Sequence, residues 1–576
     1  MNYPLYCLLF LWAIASFFAG RPAGAQLPQL PPDVNLPDDV NLPDEAPPDP
    51  VEETQPSPAE PLPTLPPESD DPILEEGPAP EPEGIQVAPP VSFFLEEVQV
   101  VGNTLFQEEI EALVSRLEGR EVAFEELLRL RTEITQLYVD NGYISSGAFV
   151  PTNQVLNDGI VQIQIIEGAI EQLQINGLAH LRDYYIRDRM TRATQAPLNV
   201  QRLEEALQIL QVDPLLQAVD AELTAGSGPG KNILILDLVE ADPFFLSLAL
   251  DNYRAPTIGS TQGGISAGNI NLLGFGDRLT LGYDATEGLE TFETSYTVPV
   301  NSLDGTFQVR YQTAESNIID PTFRDAGIRS ESETIGVNFR QPLNRSLTNE
   351  FALGLGFDIR ESRSFILDDI PFSFSVGPEE GVSKVRALRF SQEWVNRDIN
   401  TVLAARSQFS FGFDVFDATV NDSGTDGLFF AWLGQFQWVE QFSPSTLLVT
   451  RLNAQLTPDS LLPLERFSVG GIDTVRGYAQ NQIVTDNAIT ASTELRFRIA
   501  DGLQLGPFID AGGGWNNQIP NPDPSFLLGM GLSLRWQPNE DFSLRADYGI
   551  PLISPGDEGD SLQENGLYLS VTLQPF

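Results

Sequence analysis

From Phe245 to Phe576 the chain repeats with a period of two, broken by turns rich in Gly, Asn, Asp and Pro and by no helical spacing. Leu428, Phe430, Trp432, Phe436 and Trp438 share one face, and Gln435, Gln437 and Gln441 share the other. Phe526, Leu528, Met530, Leu532, Leu534 and Trp536 likewise oppose Gly529, Gly531, Ser533 and Arg535. Few folds accept this pattern. In hydrocarbon every backbone N–H and C=O must be bonded within the protein, so spanning structures are helices or closed barrels. Beyond the first twenty positions no apolar run reaches the roughly 18 residues that a spanning helix needs. Any such crossing is made by strands, apolar toward lipid and polar toward the lumen. Sixteen candidate strands begin near Phe245, Thr261, Arg278, Thr291, Gly305, Glu333, Asn349, Ser383, Thr401, Gly427, Ser445, Asn487, Leu503, Ser525, Asp541 and Gly566. An even number puts both ends of a single-chain barrel on the periplasmic side.

A chain of 576 residues has room for more than this barrel, assigned to residues 243–576. Met1 to Ala25 carries an apolar stretch from Leu5 to Ala19 and then Ala23-Gly24-Ala25, the layout of a cleavable signal peptide, although no Lys or Arg precedes the apolar stretch. The single cysteine, Cys7, falls inside it, so the mature chain is expected to hold neither disulfide nor thiolate metal site. Residues 26–90 read as an acidic, Pro-rich, disordered tether: Pro31 to Pro90 contains 19 prolines and 16 acidic residues without one Lys or Arg, too little apolar surface to offset the entropy of ordering.

Two small α+β modules follow, at residues 91–168 and 169–242, each reading strand, helix, helix, strand, strand. In the first the strands lie near Phe94 to Val101, Ser146 to Val150 and Ile160 to Ile166, with helices near Gln107 to Leu117 and Phe124 to Asp140. In the second the order recurs from Ile170 to Glu240. The link Ala241-Asp242-Pro243, short, polar and Pro-containing, is expected to let protease separate modules from barrel.

A formal charge of −49 excludes a basic footprint for nucleic acid. Catalysis finds little foothold. The one histidine, His180, lies in a turn of the second module, and neither a GxxxxGK[ST] nor a strand-to-helix GxGxxG pattern occurs. The chain is read as a non-enzyme without metal or cofactor.

The connection at residues 457–486, between the eleventh and twelfth strands, is long for an uninterrupted loop and falls on the extracellular side by strand count. It contains Val475-Arg476-Gly477-Tyr478, and the thirteenth strand carries Phe508-Ile509-Asp510-Ala511-Gly512. With these two motifs at these places the chain resembles the two-partner secretion transporters, of the haemolysin secretion/activation and filamentous-haemagglutinin-secretion type, within the outer-membrane assembly superfamily. The resemblance covers nearly the whole mature chain. It implies a mainly β fold: a 16-stranded transmembrane antiparallel barrel in the bacterial outer membrane, preceded by two periplasmic POTRA modules.

By the period-two count Phe508, Asp510 and Gly512 face the lumen, and a buried Asp there wants a cation. The resemblance implies that the loop returns into the lumen and pairs Arg476 with Asp510; Glu494, Arg496 and Arg498 are candidates for the same network. It also implies that Phe576 is the signal read by the outer-membrane assembly machinery, although Leu569, Val571 and Leu573 lie on the opposite phase. The function implied is type V secretion. An unfolded exoprotein, a large β-helical passenger, binds the modules by strand addition and crosses the lipid bilayer through the barrel. Candidate edge strands follow Ser146 in the first module and Val219 in the second. A barrel-assembly or insertion factor of the same superfamily, and a porin-like diffusion channel, remain open.

Overall fold

The computed structural model describes residues 47–54, 74–76, 92–151, 154, 159–556 and 559–576. The expected signal peptide at 1–25 and most of the expected tether lie outside the described residues. Sixteen antiparallel strands, from Phe244–Asp251 to Leu567–Leu573, form a closed meander in which each pairs with its sequence neighbours. The two-residue strand Ile370–Pro371 adds only a short pairing to the seventh, Asn349–Ile366. The first and last strands meet from Leu248↔Leu573 to Asp251↔Ser570. The expected alternation holds: Phe307, Val309, Val337, Phe339, Met530 and Leu532 are exposed on the outer wall, while Gln435 and Gln437 are buried inside.

Each module buries one face of two helices on a small sheet. In the first, Phe124–Asp140 presents Leu127, Leu130, Ile134 and Tyr138 as a single stripe to the core, positions three and four apart that fall on one side of a helix. Its sheet runs Glu97–Val101, Ile160–Ile166, Gly147–Phe149, leaving Gly147–Phe149 at an edge, as expected. In the second, the helix Val200–Gln211 starts at Asn199, whose side chain accepts the Arg202 N–H at 3.1 Å. The strand Leu216–Ala225, which contains Val219, lies between Lys231–Glu240 and a short parallel addition, Leu74–Glu76, drawn from the tether.

The tether is thus not disordered throughout, and a second piece of it is folded inside the barrel. Pro50–Glu53 makes one helical turn, with the Asp49 side chain accepting the Val51 N–H at 3.0 Å. A turn this short does not hold itself in water. The lumen supplies what it lacks: the hydroxyls of Ser316 and Ser330 donate to the Pro50 carbonyl at 3.4 and 3.3 Å, and Thr257 donates to Glu53 Oε2 at 2.6 Å. Composition reports local propensity, and these partners are distant in sequence.

The junction also differs from its expected separability. Ala241 N–H donates to Leu215 O at 2.9 Å, and Ile270 N–H donates to Pro243 O at 2.8 Å, so the link is bonded on both sides. The periplasmic turns of the barrel dock on the second module. The Arg182 guanidinium lies 3.9 Å from the centre of the Phe275 ring, and Arg189 pairs with Asp304, which also pairs with Arg345. These contacts brace both flanks of the link, although Asp242 within it is exposed. Asp304→Ala leaves Arg189 and Arg345 only their longer contacts, to Asp213 and Glu350 at 3.9 Å each, and removes hydrogen bonds to charge worth about 1.5–3 kcal/mol. Limited digestion of the intact protein in detergent is expected to be slow at 241–243 and markedly faster in Asp304→Ala; equal rates would show that the turns do not shield the link.

Candidate functional site

The long loop returns into the lumen, and its tip lies flat on the inner wall. It does so because the wall is bare at the right places. On the fourteenth strand, Phe526–Trp536, a Cβ at Gly529 would sit 2.0 Å from the Arg476 carbonyl oxygen, so only glycine lets the loop backbone approach. Gly477 itself has φ +99°, a conformation open to glycine at little cost. Val475 packs against Gly512, where a Cβ would come within 2.9 Å of it. The Tyr478 hydroxyl lies 2.9 Å from both Leu528 O and Ile553 O and shares its one proton between them, and Tyr568 bridges Gly477 N–H at 2.8 Å and Tyr478 O at 2.6 Å.

This seat carries Arg476 to the carboxylates. Its Nε donates to Asp510 Oδ2 at 2.7 Å and its Nη2 to Asp510 Oδ1 at 3.0 Å, a bidentate pair, while its own backbone N–H reaches Oδ2 at 3.1 Å. Nη1 is shared between Glu494 Oε2 and Asp547 Oδ1, both at 2.8 Å. The guanidinium carbon lies 3.4 Å from the centre of the Phe508 ring, so the aromatic of the wall motif stacks on the charge that its carboxylate binds. Arg476 is 2% exposed and Asp510 1%. Burial alone would lower the guanidinium's pKa, but Asp510, Glu494 and Asp547 together raise it, which keeps the group charged.

The structure therefore brings together Val475, Arg476, Gly477, Tyr478, Phe508, Asp510, Gly512, Glu494 and, through a 2.6 Å contact to Glu494, Arg496. Arg498 is not among them: it is exposed near the periplasmic end of the twelfth strand, Asn487–Ala500, beyond reach of the cluster. Phe576 also stands apart, 70% exposed, its ring 6.2 Å from that of Phe244 and its carbonyl accepting the Leu246 N–H at the seam. His180 touches Leu272 O in the docked turn and takes no part. Sequence reasoning missed Asp547, Tyr568, Arg535 and Arg545. The signal was present, since each falls on the lumen phase of its strand, and ionisable groups at such positions mark function.

The loop also grips the helical turn of the tether. Arg466 pairs with Glu52 and lies 3.7 Å from Asp486, while Asn481 Nδ2 donates to the carbonyls of Glu52 and Glu53 at 3.0 Å each. Loop and turn thus occupy the lumen as one bonded unit.

The cluster sets an asymmetry between its two motifs. Arg476→Ala leaves Asp510 buried with no other cation bonded to it among the described residues, a loss of about 3–5 kcal/mol. Asp510→Ala leaves Arg476 with Glu494 and Asp547, and the loss is smaller, about 1–3 kcal/mol. With Thr474→Cys as reporter, labelling by a membrane-impermeant maleimide is expected to rise most in Arg476→Ala, less in Asp510→Ala, and no further in the double variant. Additive increases would show that the two residues act separately.

The family described as haemolysin secretion/activation protein ShlB/FhaC/HecB matches residues 230–536, and a ShlB-type POTRA domain matches residues 93–168. Outer membrane transporter CdiB of Dickeya dadantii (strain 3937) is 30% identical over 193 residues, 32% of this chain and 33% of its own length, so this match spans about a third of that relative. Outer membrane transporter CdiB-2 of Burkholderia pseudomallei (strain 1026b) is 23% identical over 432 residues, 69% of this chain and 68% of its own. The solved structure of CdiB from Escherichia coli has the same fold, with a TM-score of 0.64 at 21% identity over 86% of this chain and 92% of that one. With the family match running from the last strand of the second module to the fourteenth strand of the barrel, the chain belongs to the haemolysin secretion/activation protein (ShlB/FhaC/HecB) family.

Proposed function

We propose that this chain is the transporter of a two-partner secretion system: it takes an unfolded exoprotein in the periplasm and passes it through its barrel to the cell surface. The barrel lies in the outer membrane with its modules on the periplasmic side. The observation that carries the reading is the backbone of Leu74–Glu76, laid in parallel register on Leu216–Ala225 from Leu74↔Ala221 to Glu76↔Leu223. That edge accepts an extended segment with no sheet of its own, which is what strand addition of an unfolded passenger requires. An arriving strand competes with the tether for the edge. The lumen, for its part, is filled by a loop and a helical turn held both by polar side chains and by two apolar clusters, one joining Val51 to Leu461, Leu462 and Leu464, the other built on Phe467, Val469 and Val475. A passenger rich in β-helix would supply directionality by folding outside. The loop motif, the wall motif and the Phe576 signal serve this activity as lock, seat and assembly mark.

The reading is tested by fixing the helical turn in place. In a Cys7→Ser chain, Glu53→Cys and Thr257→Cys joined by a short bismaleimide should abolish appearance of the exoprotein at the cell surface, while each single variant secretes. Undiminished secretion by the joined chain would mean that the passenger does not use this lumen. Depleting the chain should remove one exoprotein and spare other barrels; a general loss of heat-modifiable barrels would favour the assembly factor.

A further inference from the structure

The outer wall of the barrel carries a feature that transport does not use. The ninth strand, Thr401–Gly412, continues beside the eighth, Val382–Arg397, past its end: Phe413 N–H donates to Arg386 O and Thr419 N–H to Lys384 O, both at 2.9 Å. Between these two bonds residues 414–418 leave the ladder as a bulge. Its direction is fixed by three contacts on the outer face. Arg386 Nε donates to Phe416 O at 3.2 Å, Lys384 pairs with Asp417, and the Phe416 ring meets that of Phe357 edge-on at 6.5 Å. Phe357, Ile359 and Glu361 of the seventh strand register with Leu388, Arg386 and Lys384 of the eighth, so these six lie on the lipid side of the wall.

The apolar rows of this sector are short. Along the eighth strand, Trp394 to Leu388 rises roughly 15 Å along the membrane normal, at about 3.3 Å per residue and a tilt near 40°, against an outer apolar band of about 25 Å. Arg386 and Lys384 therefore fall where hydrocarbon is due, and bare cations at that level are costly. The bulge answers both deficits. Its carbonyl and its carboxylate engage the two cations, leaving Arg386 only 5% exposed, and it sets Phe413, Val415 and Phe416 outward at 41, 40 and 71% exposure. Phe416 and Asp417 hold φ of 51° and 62°, a backbone that bulky side chains adopt only under constraint. No part of the described chain covers Phe416 further, and its neighbours on the wall belong to the lipid-facing belt.

We propose that the bulge at residues 413–418 is a lipid contact, in which Phe416, flanked by Phe413 and Val415, enters the outer face of the bilayer above Phe357 and completes the apolar band over Lys384 and Arg386. The occupant is the bilayer because the patch is continuous with the belt that already faces it. The bulge fixes the depth of this sector, while the rest of the connection turns back to the lumen loop, where Thr425 and Asp426 pair with Ser460 and Leu461.

The test uses the full chain with Cys7→Ser, reconstituted into vesicles of phosphatidylethanolamine and phosphatidylglycerol and carrying one nitroxide label at Phe416→Cys. Asp422→Cys, in the same connection and exposed, is the aqueous comparison. The label at 416 is expected to collide preferentially with oxygen, which partitions into lipid, and the label at 422 with a water-soluble nickel chelate. Equal nickel accessibility at the two positions overturns the proposal, and so does shielding of 416 from both reagents, which would place a protein surface there. Should Phe416→Cys fail to show heat-modifiable mobility, Val415→Cys decides by the same criterion.

Discussion

Sixteen strands enclose more space than their own inward side chains fill, and an unfilled lumen of this width conducts water and solutes. Much of the remaining architecture answers that constraint. The interior is filled by two segments that belong to no wall strand, the loop at 457–486 and the turn at Pro50–Glu53, and each brings polar backbone that must be satisfied there. The wall meets them with glycine where the loop lies flat, at Gly512 and Gly529, and with hydroxyls and carboxylates where partners are needed.

Within that filling the charges are arranged so that no one contact stands alone. Arg476 is bonded to three carboxylates on three different strands, and Glu494 and Asp547 are in turn held by Arg496 and Arg545 at 2.6 Å each. Such a network fixes position more than it adds net stability, because desolvating each ion offsets most of the attraction it gains. For a segment that fills a pore this is a useful balance. The seat is specific, and beside its ions it buries Phe467, Val469, Val475 and Ile483 against Leu527 of the wall. The helical turn shares in the balance through Arg466 and Asn481, so movement of either segment disturbs the other.

The tether joins the two compartments of the molecule. One piece lies in the lumen and the next described piece, Leu74–Glu76, lies on the periplasmic sheet of the second module, which is itself bonded to the barrel's turns through Arg182 and Arg189. A fixed module gives the edge strand a constant position relative to the pore.

Sequence alone determined the barrel, its strand number and the two modules, because a strand's period of two is local and survives any tertiary arrangement; the pairing of loop motif with wall motif came from a family resemblance. The second module was legible from its strand-helix order, down to the helix Val200–Gln211, whereas in the first the strand Arg120–Ala123, which lies between the two helices and pairs with Ser92–Leu95, escaped it. What only the tertiary structure decided is which ions meet. Arg496 and Arg498 lie on the same phase of one strand, yet depth along the axis puts the first against Glu494 and leaves the second exposed; phase is written in sequence, and depth is set by register with neighbours. Asp547 and Tyr568 complete the cluster from strands that sequence separates widely from Arg476. The tether shows the same limit from the other side. Its composition describes a chain with little to bury, and only the tertiary structure supplies what lets short pieces of it fold: lumen hydroxyls, Arg466, Asn481 and an apolar seat for Val51 in one place, and the module's edge in another.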